Sequence, residues 1–188
     1  MFSLQAQEMS FEEYNPKSTL VVPGDSIFKA KFPFIDVHGH QRRMPTQDLT
    51  SVVADMDRLN LAIMVNLSGG TGESIVQSVK NIADNFPGRF VVFANINFQD
   101  AGSEGWTEKM VAQLEQDVKN GARGLKVYKS LGLSNKDAQG NRLAIDDERL
   151  DPIWAKCGEL GIPVLIHSAD PASFWDEFDG DNERWLEL

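Results

Sequence analysis

Five short apolar runs, each long enough for a β-strand, recur along this chain with amphipathic stretches between them. The stretches place apolar residues close to helical spacing, as Ile75, Val79 and Ile82 do. The predicted strands cover residues 34–37, 62–67, 90–96, 124–128 and 163–166, and the predicted helices cover residues 48–59, 73–85, 106–120 and 150–160. This repeated strand and helix order predicts a parallel sheet with right-handed crossovers.

Two parallel architectures compete for this pattern, a doubly wound sheet and a TIM (β/α)8 barrel. A dinucleotide-binding doubly wound sheet requires G-x-G-x-x-G after its first strand, whereas residues 38–43 read HGHQRR. The glycine-rich segment SGGTGES, residues 68–74, lacks the lysine of a phosphate-binding loop, and we interpret it as a βα loop that starts a helix. The sequence therefore favours the barrel, of which this chain holds about the first five strands.

All three histidines of the chain follow predicted strands. His38 and His40 follow the first strand, and His167 follows the fifth. Catalytic residues of barrels lie where the strands end, and neutral imidazole is the commonest metal ligand. Because strand residues two apart share a face, we expect Asp36, His38 and His40 to point to one side. A histidine beside an apolar run is more often a core or hydrogen-bonding residue, but the shared rim favours a metal site.

Other polar residues close the remaining predicted strands. These are Asn66 and Ser68 after the second strand, Asn95 and Asn97 after the third, and Lys126 and Tyr128 after the fourth. Asn97, Tyr128 and the loop around Trp175 are predicted substrate contacts, with plain packing as the alternative for each. For Asp36 the alternatives are a hydrogen bond to a metal ligand and structural pairing with the backbone.

Composition restricts the partners of the protein. The chain has 188 residues and a formal net charge of -10, which argues against nucleic acid and anionic membrane surfaces because both require a basic face. The single cysteine, Cys157, excludes an intrachain disulfide and a cysteine-based zinc site, so histidines and carboxylates must supply any metal ligands. No apolar run is long enough to span a membrane. We expect a small-molecule substrate. The sequence leaves open whether the protein forms a homo-oligomer.

Four segments resemble the amidohydrolase superfamily, and in particular its amidohydrolase-related branch of metal-dependent hydrolases. They are FPFIDVHGH, GARGLKVYKSLGL, DDERLDPIWAKCGELGIPVLIHSADP and NERW, so the resemblance runs from about residue 32 to the last residue. It implies a (β/α)8 barrel that holds one or two divalent ions, most of all Zn²⁺, on His38, His40 and His167. It also implies Lys126 as a catalytic residue of the fourth strand, carboxylated in some branches. Lys129 is the alternative in another register, and a surface or loop lysine is the alternative role.

The resemblance implies hydrolysis of a small-molecule amide, ester or lactone by a metal-activated water. The alternatives are a non-oxidative decarboxylase on the same metal-binding barrel and a catalytically incompetent fragment. The family's strands six to eight, and the aspartate after the eighth, have no counterpart in these residues. We therefore expect a longer parent protein, and we expect this chain alone to self-associate and to lack activity.

Two regions follow from this interpretation. Residues 1–31 form a polar lead-in with a candidate edge strand at residues 19–22, and residues 32–188 form the N-terminal portion of the barrel domain. The first eight residues lack the charged and apolar regions of a signal peptide. The expected location is cytoplasmic, or periplasmic if the parent carries a signal peptide upstream of residue 7.

Overall fold

The computed structural model describes Gly24, residues 27–168, Asp170 and residues 174–177. Residues 27–168 form one compact unit, which carries every element named below. Its elements are β1 (Phe34–Gly39), α1 (Thr50–Leu59), β2 (Leu61–Asn66), α2 (Glu73–Asn85), β3 (Phe90–Val92), β4 (Ala94–Asn95), α3 (Trp106–Lys119), β5 (Leu125–Val127), α4 (Ser130–Leu133), a 3-10 helix (Glu148–Leu150), α5 (Asp151–Leu160) and β6 (Val164–Ile166). Within the described residues, no helix is long and apolar enough to cross a membrane.

Every pair of neighbouring strands is parallel, which confirms the predicted kind of sheet. The strand order is β1-β2-β3 in one sheet and β4-β5-β6 in the other. The predicted third strand is divided at Phe93, whose N–H donates to the carbonyl of Asn66, while the next N–H, that of Ala94, donates to Gly124. The run 90–96 thus pairs with β2 through its first half and with β5 through its second. A change of partner along one strand is consistent with the tilted, staggered strands of a barrel. Closure of the sheet into eight strands stays a prediction.

The long helices lie close to their predicted positions because the sequence carries their boundaries. The bounds of α2 agree with the prediction at both ends. Gly161 is the left-handed C-cap of α5, as its position after the helix predicts. The apolar faces of the four long helices contribute to one core, which includes Met56, Ile75, Leu114 and Ile153.

The segment between α4 and α5 was not predicted from the sequence. Residues Leu131 and Gly132 depart from helical φ and ψ inside α4. Farther along, the Arg149 guanidinium pairs with Asp137 at 3.2 Å and with Asp147 at 2.7 Å, which ties the long loop to the start of α5. The candidate edge strand at residues 19–22 lies outside the described residues.

Candidate active site

The two histidines of the His-Gly-His triplet lie where β1 ends. His38 is the second-last residue of β1, and His40 is the first residue after it. Their ring centroids are 5.2 Å apart, and both side chains are exposed. Asp36 pairs with Met64, and Gly39 pairs with Asn66. Three residues along β1 therefore match two along β2, and the register shifts between Asp36 and Gly39. This irregularity interrupts the strict alternation assumed for Asp36, His38 and His40. The Asp36 carboxylate accepts the backbone N–H of His38 at 2.9 Å, which is the structural alternative for that residue.

Gly39 sits between the histidines because β1 runs very close to β2 at this point. A Cβ on Gly39 would lie 2.8 Å from Met64 Cγ and 2.9 Å from its Sδ. The Gly39 carbonyl also accepts the N–H of Leu67 at 2.9 Å. A side chain here would have to displace the Met64 side chain and would lie 3.3 Å from the Val65 carbonyl oxygen.

Asn66, the last residue of β2, forms hydrogen bonds with the backbone next to His40. Its Oδ1 accepts the N–H of Gln41 at 2.9 Å and the N–H of Ser68 at 3.0 Å. Its Nδ2 donates to the Gln41 carbonyl at 3.2 Å. The side chain is fully buried. Gly39 and Gln41, the two neighbours of His40, are therefore both bonded to the end of β2.

A row of hydrogen bonds joins His40 to the end of β5. The Nδ1 atom of His40 lies 2.8 Å from Ser68 Oγ, which lies 2.9 Å from the hydroxyl of Tyr128. The Tyr128 hydroxyl also donates to the Leu67 carbonyl at 2.9 Å. The rings of His40 and Tyr128 stack with centroids 6.1 Å apart. Tyr128, a predicted substrate contact, thus touches a predicted metal ligand. Ser68 was noticed in the sequence only as a polar residue after the second strand.

Lys126 lies in β5 and is 1% exposed, so it is neither a surface nor a loop lysine. Its Nζ is 5.9 Å from the centre of the Tyr128 ring and has no hydrogen-bond partner among the described residues. Burial lowers the pKa of this ammonium. Lys129, the alternative candidate, comes after β5 and is exposed.

His167 follows β6 and is bonded to β5 through its backbone. Its N–H donates to the Val127 carbonyl at 3.1 Å. Since Val127 pairs with Ile166, the next residues along the two strands, Tyr128 and His167, are neighbours. The pairing of β5 with β6 ends at Val127 and Ile166, so a common face for His167, Lys126 and Tyr128 stays a prediction.

Asn97 follows β4, in the loop that leads to α3. It is exposed, and its Oδ1 accepts the N–H of Gln99 at 3.0 Å. It lines a polar pocket of about 210 Å³ at the start of α3 together with Trp106 and Lys109. Neither His40 nor Tyr128 lines that pocket. The role of Asn97 as a substrate contact therefore stays a prediction.

The surroundings of His40 are positive although the chain is acidic. Desolvation of the imidazole lowers the pKa of His40, and the positive charges of His38, Lys126 and Arg42 lower it further. The neutral imidazole, which is the form that binds metal ions, is therefore favoured.

Comparison with protein families gives the identity of this domain. The family model described as Amidohydrolase matches residues 35–183. The chain belongs to the amidohydrolase family. A search among curated proteins found no match. The matched range contains all six predicted site residues, and membership supports an enzyme of the hydrolase or lyase type.

Amidohydrolases generally use divalent metals, and the histidines of this chain are the candidate donors. Among the described residues, no three His, Cys, Asp or Glu side chains come together as a metal site. The spacing of His38 and His40 fits two ligands of a zinc ion. Two Zn–N bonds of about 2.0–2.1 Å at a tetrahedral angle put the imidazole centroids about 5 Å apart, and those of His38 and His40 are 5.2 Å apart. His40 Nδ1 is engaged by Ser68, which leaves Nε2 as its ligand atom. The two histidines thus match two ligands of such a site.

Proposed function

We propose that this amidohydrolase is a metal-dependent hydrolase that cleaves a small-molecule amide, ester or lactone by a metal-activated water. The observation that carries the proposal is the His38–His40 pair at ligand spacing, where β1 ends. His40 is held there by its ring nitrogen and by the backbone bonds of both its neighbours. Ligands held in this way are a general feature of metal sites in enzymes.

His38, His40 and His167 would hold the divalent ion, most of all Zn²⁺. Such an ion, when bound, would lower the pKa of its water to about 7 and polarise the carbonyl under attack. The support for His167 is its register beside Tyr128, whose hydroxyl belongs to the same row of bonds as His40.

Lys126 is the proposed catalytic residue. Its amine is buried beneath the Tyr128 ring and has no hydrogen-bond partner among the described residues. A buried cation without a partner favours any negative charge that forms nearby, such as the charge that develops on an attacked carbonyl oxygen. Asn97 is the proposed substrate contact farther out, because it lies on the exposed loop that follows β4.

A second candidate is non-oxidative decarboxylation on the same site. The observation that favours it is the buried Lys126 amine beside the Tyr128 ring, which has no hydrogen-bond partner among the described residues. Such a buried amine suits a substrate carboxylate as well as a reaction intermediate. A decarboxylase would hold that carboxylate and release CO₂ without the attack of water.

One assay separates the two candidates. The purified protein is incubated with a panel of amides, esters and lactones and with a panel of aromatic carboxylic acids, before and after removal of metal by a chelator. Cleavage without CO₂ that stops on chelation supports the hydrolase. Release of one CO₂ per molecule consumed, also stopped by chelation, supports the decarboxylase. Turnover that is unchanged by chelation contradicts a metal-dependent enzyme of either kind, and an absence of turnover on both panels supports the third alternative, a catalytically incompetent fragment.

A further inference from the structure

We infer that Ser68 and Tyr128 are positioning residues that fix the tautomer of His40, with its hydrogen on Nδ1 and its lone pair on Nε2. The use of that lone pair for a metal rests on the proposed function, but the tautomer itself does not. The inference moves Tyr128 from substrate contact to positioning residue and assigns a role to Ser68.

The number of hydrogens available to the bonds beside His40 determines its tautomer. Three consecutive bonds run from His40 Nδ1 to Ser68 Oγ, from there to the Tyr128 hydroxyl, and on to the Leu67 carbonyl. A carbonyl only accepts, so the single Tyr128 hydrogen goes to Leu67. The Ser68 hydrogen must then go to the Tyr128 oxygen. All three bonds therefore coexist only if the third hydrogen comes from Nδ1 of His40.

The opposite tautomer loses one of these bonds. If Nδ1 accepted from Ser68, the Ser68 oxygen would need the hydrogen of Tyr128, and the bond from Tyr128 to Leu67 would break. The nitrogen of an imidazole that carries the hydrogen is set by the partner of that nitrogen. A fixed acceptor at the far end of the row therefore selects the tautomer of His40.

The acceptor end is fixed by the fold. Leu67 is fully buried, and its N–H donates to the Gly39 carbonyl. Its own carbonyl also accepts Nδ2 of Asn95 at 3.1 Å, which fixes its direction. The same asparagine accepts the N–H of Gly70 at 2.8 Å. Leu67 thus cannot turn away without breaking bonds on both sides.

The segment that carries Ser68 is fixed as well. Its own N–H donates to Asn66, and two residues beyond Gly70 the N–H of Gly72 donates to Asp117 Oδ1 at 2.7 Å. Both acceptor side chains are fully buried. Gly69 packs closely against the next strand, since a Cβ there would lie 2.3 Å from the Phe93 carbonyl oxygen. The hydroxyl of Ser68 is consequently held against His40.

The test is ¹⁵N NMR of the metal-free protein labelled at histidine, at a pH of about 8, well above the imidazole pKa of about 6.5. The chain has three histidines, so the spectrum of His40→Gln assigns the His40 signals by their loss. We expect His40 to carry its hydrogen on Nδ1. Ser68→Ala and Tyr128→Phe should each give a mixture of tautomers, whereas Ser68→Thr keeps the hydroxyl and should keep the wild-type signals.

Ser51→Ala is the control, because Ser51 lies at an exposed position of α1. It should leave the His40 signals unchanged. In the same variants we expect zinc affinity to fall about tenfold for Ser68→Ala and to be unchanged for Ser51→Ala. A wild-type spectrum with the hydrogen on Nε2, or a Ser68→Ala spectrum equal to that of the wild type, overturns the inference. If the tautomer result holds and no zinc binds, the proposed function fails while this inference stands.

Discussion

The Oδ1 atom of Asn66, the last residue of β2, accepts the backbone N–H of Gln41, the residue after His40, at 2.9 Å. The same oxygen accepts the N–H of Ser68, and the side chain is fully buried. One amide thus joins the end of β1 to the end of β2, so the geometry of the histidine pair depends on a residue that touches neither imidazole.

The first prediction concerns this amide. Asn66→Ala leaves the N–H groups of Gln41 and Ser68 without their acceptor, and each such loss costs about 1–3 kcal/mol. We expect the free energy of unfolding in urea to fall by about 2 kcal/mol or more. Asn85→Ala is the control, since Asn85 is exposed on α2, and should change it by less than about 0.5 kcal/mol. Equal losses in the two variants would contradict the role given to Asn66.

The second prediction concerns the glycine between the histidines. Gly39→Ala places a methyl group 2.8 Å from Met64 Cγ, so we expect a lower melting temperature and weaker zinc binding. Met64→Ala in the same chain removes the clash and should recover part of both losses. Gly158→Ala is the control, because Gly158 lies in α5 with nothing within 4 Å of an added Cβ. A Gly39→Ala protein with unchanged stability and zinc affinity would refute the close approach.

The third prediction concerns Lys126. Lys126→Met removes the buried, positively charged group, and we expect activity on the substrate found by the assay to fall about 10²-fold. Stability at neutral pH should not fall, because burial of this amine lowers its pKa and so opposes folding. Lys129→Met changes an exposed lysine three residues on and should keep the activity. If Lys129→Met is the inactive variant, the catalytic lysine has been misassigned.

The fourth prediction uses Asp117, which is fully buried in α3. Burial raises the pKa of its carboxyl, although hydrogen bonds from Gly72 and Gln113 oppose the shift. The folded state then holds a proton more tightly than the unfolded state, so the contribution of Asp117 to stability falls as pH rises from about 3.8 through the raised pKa. Asp117→Asn should remove this fall, since an amide oxygen still accepts from Gly72 and does not titrate.

Urea unfolding of the wild type and of Asp117→Asn between about pH 4 and pH 7 measures the effect. The stability of the wild type relative to the variant should decrease as pH rises. A difference that is constant with pH, or that grows with pH, would contradict the raised pKa.

The helices and the kind of sheet could be predicted because their signals are local. The bounds of α2 follow from its apolar spacing and from the glycine before it and the Pro87-Gly88 pair after it. The division of the third strand at Phe93 could not be predicted, because it depends on which distant strands supply the partners, Asn66 on one side and Gly124 on the other. The departure of Gly132 from helical geometry has a local signal, since glycine adopts its φ of 82° readily.

Some features of the candidate site could likewise be predicted from the sequence, and others could not. The positions of His38, His40, Lys126 and His167 at strand ends could be predicted from the apolar runs that precede them. The alternation of Asp36 with the histidines could not, because the register shift in β1 arises from pairing with β2. The contact of Ser68 with His40 joins residues 28 positions apart, and only the folded sheet brings them together.

The most direct test of the whole account is the zinc content of the purified protein after incubation with Zn²⁺ and removal of excess metal. The account predicts about one ion per chain for the wild type, and none for the double variant His38→Ala, His40→Ala. The control is Gln77→Ala, Lys80→Ala, two changes at exposed positions of α2, which should retain the ion. Zinc bound equally by the wild type and by the double histidine variant would contradict the account.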